Sequence, residues 1–189
     1  MFVVKKKYYL IIESIKDINL DDIKKIHKFS IIYRNQDKFE KKDELLKFRK
    51  KCKIKSIDFY VANNLKLATY LCSDGIYLSS YNKSFKALSL KKTNFQIIGS
   101  AHSQKEIYAK IKQGCEVIIF SKLFSVNYDK YAPFLGVIKF NNYLKNKKNL
   151  IPLGGINLKN LNNLNLIKCN GFALMSGVKK KPAITSRLF

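Results

Sequence analysis

The segments IPLGGI (residues 151–156) and NGFALMSGV (residues 170–178) indicate the fold of this chain more clearly than any other stretch. Each begins as a short apolar run, which is typical of a buried strand. Each then ends at glycines or a serine, where backbone N–H groups can remain available to a ligand. The last two strands of a (β/α)8 barrel form a phosphate site in this way. The two segments therefore predict such a barrel, with an anion site at the ends of its last two strands.

Eight short apolar runs, which alternate with longer amphipathic stretches, predict an α/β protein with a parallel sheet. A helix is expected over Ser103–Lys112, where Ser103 is a suitable N-cap and Glu106 completes a capping box, and another over Leu20–His27. Beyond the last run and the Ser-Gly-Val that ends it, only a short basic tail remains, residues 179–189. We therefore predict a small (β/α)8 TIM barrel, a single domain over residues 1–189 whose last helix is truncated or missing. The predicted strands are Tyr8–Ile12, Ser30–Tyr33, Asp58–Ala62, Gly75–Leu78, Gln96–Gly99, Val117–Ser121, Leu150–Leu153 and Gly171–Met175.

The charge of the chain is strongly positive but evenly distributed. The 189 residues are 47% hydrophobic, which is enough for a buried core, and the formal net charge is +24. The excess is almost entirely lysine, with arginine only at Arg34, Arg49 and Arg187. Scattered lysines favour a solvated basic surface over a nucleic-acid groove, so we predict no nucleic-acid partner. The same charge would attract small phosphorylated substrates.

The apolar runs and the cysteine spacing disfavour a membrane protein, a secreted protein and a zinc-binding protein. The chain has no uninterrupted apolar run of membrane-spanning length and no apolar leader segment behind a basic start. Its four cysteines are widely scattered and include no CxxC pair, which indicates neither a zinc site nor a disulfide framework. We therefore predict a cytoplasmic protein without a membrane partner.

Six segments in order along the chain resemble the thiamine-phosphate synthase and TenI (thiazole tautomerase) family. The resemblance extends over roughly residues 8 to 178, and it implies a (β/α)8 barrel, in agreement with the strand pattern. The segments are IIYR (31–34), SDGIYL (73–78), SAHS (100–103), VIIFS (117–121, followed by Phe124 and by Leu135-Gly136), LGGI (153–156) and ALMSG (173–177).

The resemblance implies that the chain keeps the part of the site that binds thiazole phosphate. Family members hold this phosphate with backbone N–H groups and a hydroxyl after strands seven and eight, which here correspond to Gly154, Gly155, Ser176 and Gly177. His102 matches the histidine with which the tautomerases transfer a proton on the thiazole ring. Imidazole suits this task because it titrates near neutral pH and can both accept and donate a proton. Synthases have a histidine at the same point, so His102 does not separate the two activities.

The part of the site that binds the pyrimidine pyrophosphate departs from the family pattern. Of a Gln-x-Arg-x-Lys motif on the second strand, only Arg34 remains. We predict that Arg34 belongs to the catalytic residues together with His102, either as an anion contact or as part of an ion pair at the barrel mouth. The acids that hold Mg²⁺ in the synthases correspond to Asn63 (or Asn64) and Asn82, whose amide oxygens bring no negative charge. We therefore expect no tightly held metal and at most weak Mg²⁺ binding, and no other cofactor is implied. The predicted substrate contacts are completed by Ser100, Lys122 and Lys130.

These residues predict an enzyme of thiamine biosynthesis that acts on thiazole phosphate. Two reactions stay open. One is a transferase reaction that joins the pyrimidine pyrophosphate to thiazole phosphate, and the other is an isomerase reaction that converts a thiazole tautomer to the aromatic ring. A catalytically degenerate member that only binds a phosphorylated ligand is a third alternative, and a basic nucleic-acid-binding barrel is a remote fourth. The family precedent also favours a homodimer.

Overall fold

Eight parallel strands close into a barrel in the sequential order β1 to β8. The computed structural model describes residues 7–23, 28–35, 40–126, 131–146, 149–157 and 159–175. The predicted barrel is confirmed, and the bounds of β3, β4, β6 and β7 agree with the prediction. The strands are β1 (Lys7–Ile12), β2 (Phe29–Tyr33), β3 (Asp58–Ala62), β4 (Gly75–Leu78), β5 (Gln96–Ala101), β6 (Val117–Ser121), β7 (Leu150–Leu153) and β8 (Gly171–Leu174).

Helices and short 3-10 turns connect successive strands on the outside of the barrel. The α-helices are α1 (Lys42–Ile54), α2 (Leu65–Tyr70), α3 (Gln104–Lys112) and α4 (Gly136–Asn146). The 3-10 turns are Ile15–Asp17, Leu20–Asp22, Lys86–Thr93 and Leu161–Leu166. Among the described residues, no helix has both the length and the apolar character needed to cross a bilayer. The predicted truncation of the last helix concerns residues that lie outside the described part of the chain.

The helix predicted over Leu20–His27 is wrong at its start. A 3-10 turn forms at Leu20–Asp22, and Ile23 then has an extended backbone conformation that ends the turn. The side chain of Asn19 accepts a hydrogen bond from the N–H of Asp21, so the cap stabilises one short turn rather than an α-helix. Residues 24–27 lie outside the described part.

The predicted N-cap of α3 is confirmed, with one change to the capping box. The hydroxyl of Ser103 accepts a hydrogen bond from the N–H of Glu106, at 3.3 Å. The carboxylate of Glu106 does not reach back to the N–H of Ser103. It accepts instead from the N–H of His102, at 2.7 Å. The start of α3 therefore holds the backbone of His102 directly.

Alternate residues along each strand point to opposite faces of the sheet, and their buried side chains form separate clusters on the two faces. One set of side chains points outward and packs beneath the helices, and the other set fills the barrel interior. Which face a side chain occupies is therefore fixed by its position in the strand, and this alternation continues into the first residues after each strand. The interior set is Tyr9, Ile11, Ile32, Tyr60, Tyr77, Ile98, Ile119, Ile151 and Ala173.

Candidate active site

Polar side chains enter the barrel mouth where the interior alternation passes the ends of the strands. On β1, Ile11 points into the barrel, so the next interior position is Glu13. The same alternation brings Arg34, His102 and Ser121 to the mouth from β2, β5 and β6. These ends are the carboxyl ends of parallel strands, the face on which (β/α)8 barrels carry their chemistry.

A cavity of about 430 Å³ occupies this mouth. Glu13, Arg34, His102 and Ser121 all line it, together with Lys122 and the turn that follows β7. Apolar residues at the end of β8, Ala173 to Met175, form part of its wall. The cavity thus combines an apolar surface with a few convergent polar groups, which is typical of a small-molecule site.

His102 is held in the mouth through one of its two ring nitrogens. Its Nδ1 lies 2.9 Å from the hydroxyl oxygen of Ser121, and its backbone N–H is bonded to Glu106. The Nε2 atom has no hydrogen-bond partner in the described part of the chain. The imidazole is therefore oriented from one side and remains available to a ligand on the other.

The turn after β7 presents backbone N–H groups to the same cavity. The carbonyl of Gly154 accepts from the backbone of the loop after β6, at 3.1 Å. The carbonyl of Gly155 accepts from the amides of Asn157, at 3.1 Å, and Asn160, at 2.8 Å. Because N–H and C=O point in opposite directions across a trans peptide, the N–H groups of Gly155 and Ile156 are turned away from these partners. Neither N–H donates to an acceptor within the described residues, and both residues line the cavity.

Gly155 lies where the turn after β7 and the loop after β6 approach each other closely. Its φ is +67°, and a Cβ built on it would lie 2.4 Å from the carbonyl oxygen of Ser125 and 2.5 Å from that of Phe124. Real Cβ atoms do not come so close to a backbone oxygen. A side chain at residue 155 would thus press on the backbone of the loop after β6.

The other predicted substrate residues differ in their placement. Ser100 occupies the interior position below His102, is only 6% exposed, and is not part of the cavity lining. Ser176, Gly177 and Lys130 lie outside the described residues. The structure thus brings Arg34, His102, Lys122, Gly154 and Gly155 together, and it places Ser100 beneath them.

A second, more open cavity of about 960 Å³ extends from the mouth past the ends of β3 and β4. Arg34 lines both cavities, and its buried Nε atom has no hydrogen-bond partner among the described residues. The open cavity is also lined by Lys66 and Lys86, and no carboxylate is among its lining residues in the described chain. Its electrostatic character is therefore cationic.

The asparagines at this open cavity do not offer a metal site. The Oδ1 atom of Asn63 accepts three hydrogen bonds of 3.0 Å, from the N–H and hydroxyl of Ser79 and from the amide of Asn82. The Oδ1 of Asn64 caps α2 by accepting from the N–H of Leu67, at 2.9 Å. The Oδ1 of Asn82 accepts from the N–H of Ser84, at 2.9 Å.

Mg²⁺ binds oxygen ligands in near-octahedral geometry and usually uses one or two carboxylates. Here the amide oxygens already have partners, and no group of three or more His, Cys, Asp or Glu side chains in the described residues could hold a metal ion. The residues present at this rim therefore do not fit Mg²⁺.

A buried lysine fixes the loop that carries Asn82. Lys110 of α3 is 1% exposed, and its ammonium donates to the backbone carbonyl of Asn82, at 2.7 Å, and to the side chain of Gln113, at 2.9 Å. The amide of Gln113 donates in turn to the carbonyls of Asn82 and Ser84. Burial lowers the pKa of Lys110. We call Lys110 and Gln113 the loop clamp.

A closed eight-stranded parallel barrel whose polar groups gather at the carboxyl ends of the strands belongs to the (β/α)8 class. Comparison with known proteins defines the family. The family model described as thiamine monophosphate synthase matches residues 11–178, and the chain belongs to this family. The resemblance in the sequence is confirmed.

Individual relatives agree with this assignment. A thiamine-phosphate synthase of Persephonella marina is 28% identical over 156 residues, which cover 79% of this chain and 74% of that protein. The thiamine phosphate pyrophosphorylase of Pyrococcus furiosus has a similar structure, with a TM-score of 0.75 and 18% identity over 98% of this chain and 94% of that one. Phosphoribosyl anthranilate isomerase of Thermotoga maritima has a TM-score of 0.69 at 11% identity, with coverage of 97% and 96%. At these identities, the structural likenesses show the fold.

Proposed function

We propose that this protein binds thiazole phosphate in the mouth cavity and catalyses a proton transfer that converts a thiazole tautomer to the aromatic ring, without Mg²⁺. One observation carries the proposal. The Nε2 of His102 and the N–H groups of Gly155 and Ile156 have no hydrogen-bond partner among the described residues, and all three residues line the same cavity. A phosphate bound at that turn would hold the ring of its thiazole near the imidazole.

The chemistry needs little more than these groups. In the isomerisation one C–H bond breaks, its electron pair shifts through the conjugated system, and a C–H bond forms at another carbon, so atoms and electrons balance. The N–H groups of the β7 turn and the guanidinium of Arg34 supply fixed positive charge for the phosphate. His102 exchanges a proton with the ligand, and Ser121 keeps its ring in place.

Coupling of thiazole phosphate to a pyrimidine pyrophosphate is the second candidate function. It is favoured by the relative from Persephonella marina, which is a thiamine-phosphate synthase. The open cavity with Arg34, Lys66 and Lys86 could neutralise a pyrophosphate. Against this candidate, the rim asparagines do not fit the metal on which we expect such coupling to depend.

The two functions are separated by assaying the same protein in EDTA and across an Mg²⁺ titration. We expect isomerisation of the thiazole tautomer to proceed in EDTA, and thiamine phosphate formation from both precursors to be negligible at every Mg²⁺ concentration. Brisk Mg²⁺-dependent formation of thiamine phosphate would establish the second candidate instead. Binding of thiazole phosphate with no turnover in either assay would identify a degenerate binding protein.

A His102→Asn variant tests the residue at the centre of the proposal. We expect kcat for isomerisation to fall by about 10² or more, the usual scale for a lost acid–base group. His102 is exposed, so the melting temperature should stay close to that of the wild type. Ser121→Ala is the matched comparison, because it removes only the group that orients the ring and should reduce kcat by a smaller factor. A His102→Asn variant with normal kcat would refute the assignment.

A further inference from the structure

We propose that Glu13 is a second acid–base group of this site and acts on the bound ring from the side opposite His102. The inference rests on the proposed isomerase function. Glu13 takes no part in the sequence motifs that resemble the family, and its role follows from its place in the barrel.

The direction of the Glu13 side chain follows from the strand that precedes it. Tyr9 and Ile11 of β1 point into the barrel interior, and Glu13 is the next position with this orientation. Glu13 is half-buried and lines the mouth cavity. Within the described chain, it is the single carboxylate residue in the lining of that cavity.

Its position around the barrel places it across the mouth from His102. The strands close in the order β1 to β8, so the ends of β1 and β5 lie on opposite sides of the ring. Glu13 follows β1, and His102 follows β5. A flat ligand ring between them would thus be approached from two sides by groups that can exchange protons.

The backbone at Glu13 is rigidly held. The carboxylate of Asp17 accepts from the N–H groups of Glu13, at 2.9 Å, and Ser14, at 3.0 Å. The hydroxyl of Ser14 donates to Glu40, which belongs to the segment before α1. On the neighbouring strand, the N–H of Arg34 donates to the carbonyl of Ile12, at 2.8 Å. The loop after β1 is therefore fixed on both sides of Glu13, which suits a group that must meet a ligand atom at a defined place.

Two proton-transfer groups suit this reaction better than one. The proton leaves one carbon and a proton arrives at another, so a single imidazole would have to reach both atoms. The ring of His102 is held by Ser121, which limits its movement. In the two-group mechanism the Glu13 carboxylate accepts the proton from the C–H bond, the electron pair shifts through the conjugated system, and protonated His102 donates to the other carbon. Exchange with water then returns both groups to their starting states.

The test compares Glu13→Gln with Glu44→Gln, the same substitution at an exposed position of α1. With the thiazole tautomer as substrate, we expect Glu13→Gln to lower kcat by about 10² or more with KM changed less than about threefold, and Glu44→Gln to change neither. Activity of Glu13→Ala should be partly restored by added formate, which a merely structural role would not produce. Substrate deuterated at the carbon that loses its proton should give a product with no deuterium at the receiving carbon.

Each outcome either supports or overturns the role of Glu13. Normal kcat in Glu13→Gln, or transfer of deuterium to the receiving carbon by the wild-type protein, would overturn the role of Glu13 while leaving the isomerase function intact. A wild-type protein that does not isomerise the tautomer would overturn the proposed function and this role together. Loss of kcat with formate rescue, in a wild-type background that is active in EDTA, would support both.

Discussion

The two sides of the barrel mouth use their polar groups in opposite ways. On the side formed by the ends of β5, β6 and β7, the Nε2 of His102 and the N–H groups of the glycine turn have no hydrogen-bond partner among the described residues, and these residues line a cavity. On the side formed by β3 and β4, the amide oxygens of Asn63, Asn64 and Asn82 each accept hydrogen bonds from neighbouring groups. The polar groups of the first side remain available to a ligand, whereas those of the second side are used in hydrogen bonds within its own loops. One barrel mouth therefore combines the proposed binding site with a structural hydrogen-bond network.

The largest expected effect comes from a substitution in the glycine turn after β7. Gly155→Val should abolish binding of thiazole phosphate, because its side chain would displace the loop after β6 and distort the N–H groups of the turn. Gly136→Val is the matched control: its φ is also +67°, but a Cβ there meets nothing within 4 Å.

Both valine variants should lose stability from the left-handed backbone, by about 1–2 kcal/mol. Only Gly155→Val should lose further stability and the ligand. Isothermal titration calorimetry and denaturant unfolding measure the two effects. Equal ligand affinity in the two variants would mean that the glycine turn does not form the phosphate site.

A smaller effect is expected from replacing the asparagines after β3 and β4 with aspartates. In the double variant Asn63→Asp/Asn82→Asp, two carboxylates would replace an amide hydrogen bond of 3.0 Å, and like charges at this distance repel. We expect the free energy of unfolding without metal to fall by about 1–3 kcal/mol.

Mg²⁺ should recover part of this loss in the double variant and should leave the melting temperature of the wild type unchanged. Melting curves with and without Mg²⁺ provide the measurement, and ionic strength is held constant as the control. A wild-type protein stabilised by Mg²⁺ at constant ionic strength would show that the asparagine rim accepts a metal after all.

The smallest expected effect concerns the loop clamp beneath the asparagine side. Burial lowers the pKa of Lys110 below its ordinary value of 10.5, while Cys115 and Glu106 act in the opposite direction. Between the lowered pKa and 10.5, the unfolded chain binds more protons than the folded one, so this group makes stability rise with pH.

The difference in unfolding free energy between wild type and Lys110→Met should therefore increase from neutral pH toward pH 10.5, by less than about 1.4 kcal/mol per pH unit. Buried tyrosines titrate in both proteins and cancel in the difference. Denaturant unfolding at several pH values tests the sign. A difference that decreases over this range would contradict the assigned shift.

The sequence was informative about the strands because each is a short apolar run with its own boundary signals. Six strands end where the runs end, and β5 is longer than predicted because Ser100 and Ala101 continue the ladder beside β6. The start of α1 was not predicted. Its N-cap position is Lys41, whose side chain makes no capping bond, so the usual cap signal is absent.

Several of the predicted site residues follow directly from a strand end, and the structure places them together. Arg34, His102, Lys122 and the β7 glycines line one cavity, although their roles stay predictions. Glu13 was missed, yet the alternation of Tyr9, Ile11 and Glu13 on β1 was a usable signal. The partners of Asn63 could not be predicted, because they are side chains and N–H groups on another loop, brought close only by the closed barrel.

The loop clamp joins two parts of the chain that are far apart in sequence. The loop after β4 belongs to the first half of the barrel, but the groups that fix it, Lys110 and Gln113, belong to the second half and follow 28 to 31 residues later. A first half-barrel, β1 to β4, expressed alone would contain this loop but not Lys110 and Gln113, which hold it in place. The asparagine side of the mouth therefore depends on both halves of the barrel, because its loop has its anchors only when α3 is in place against β5.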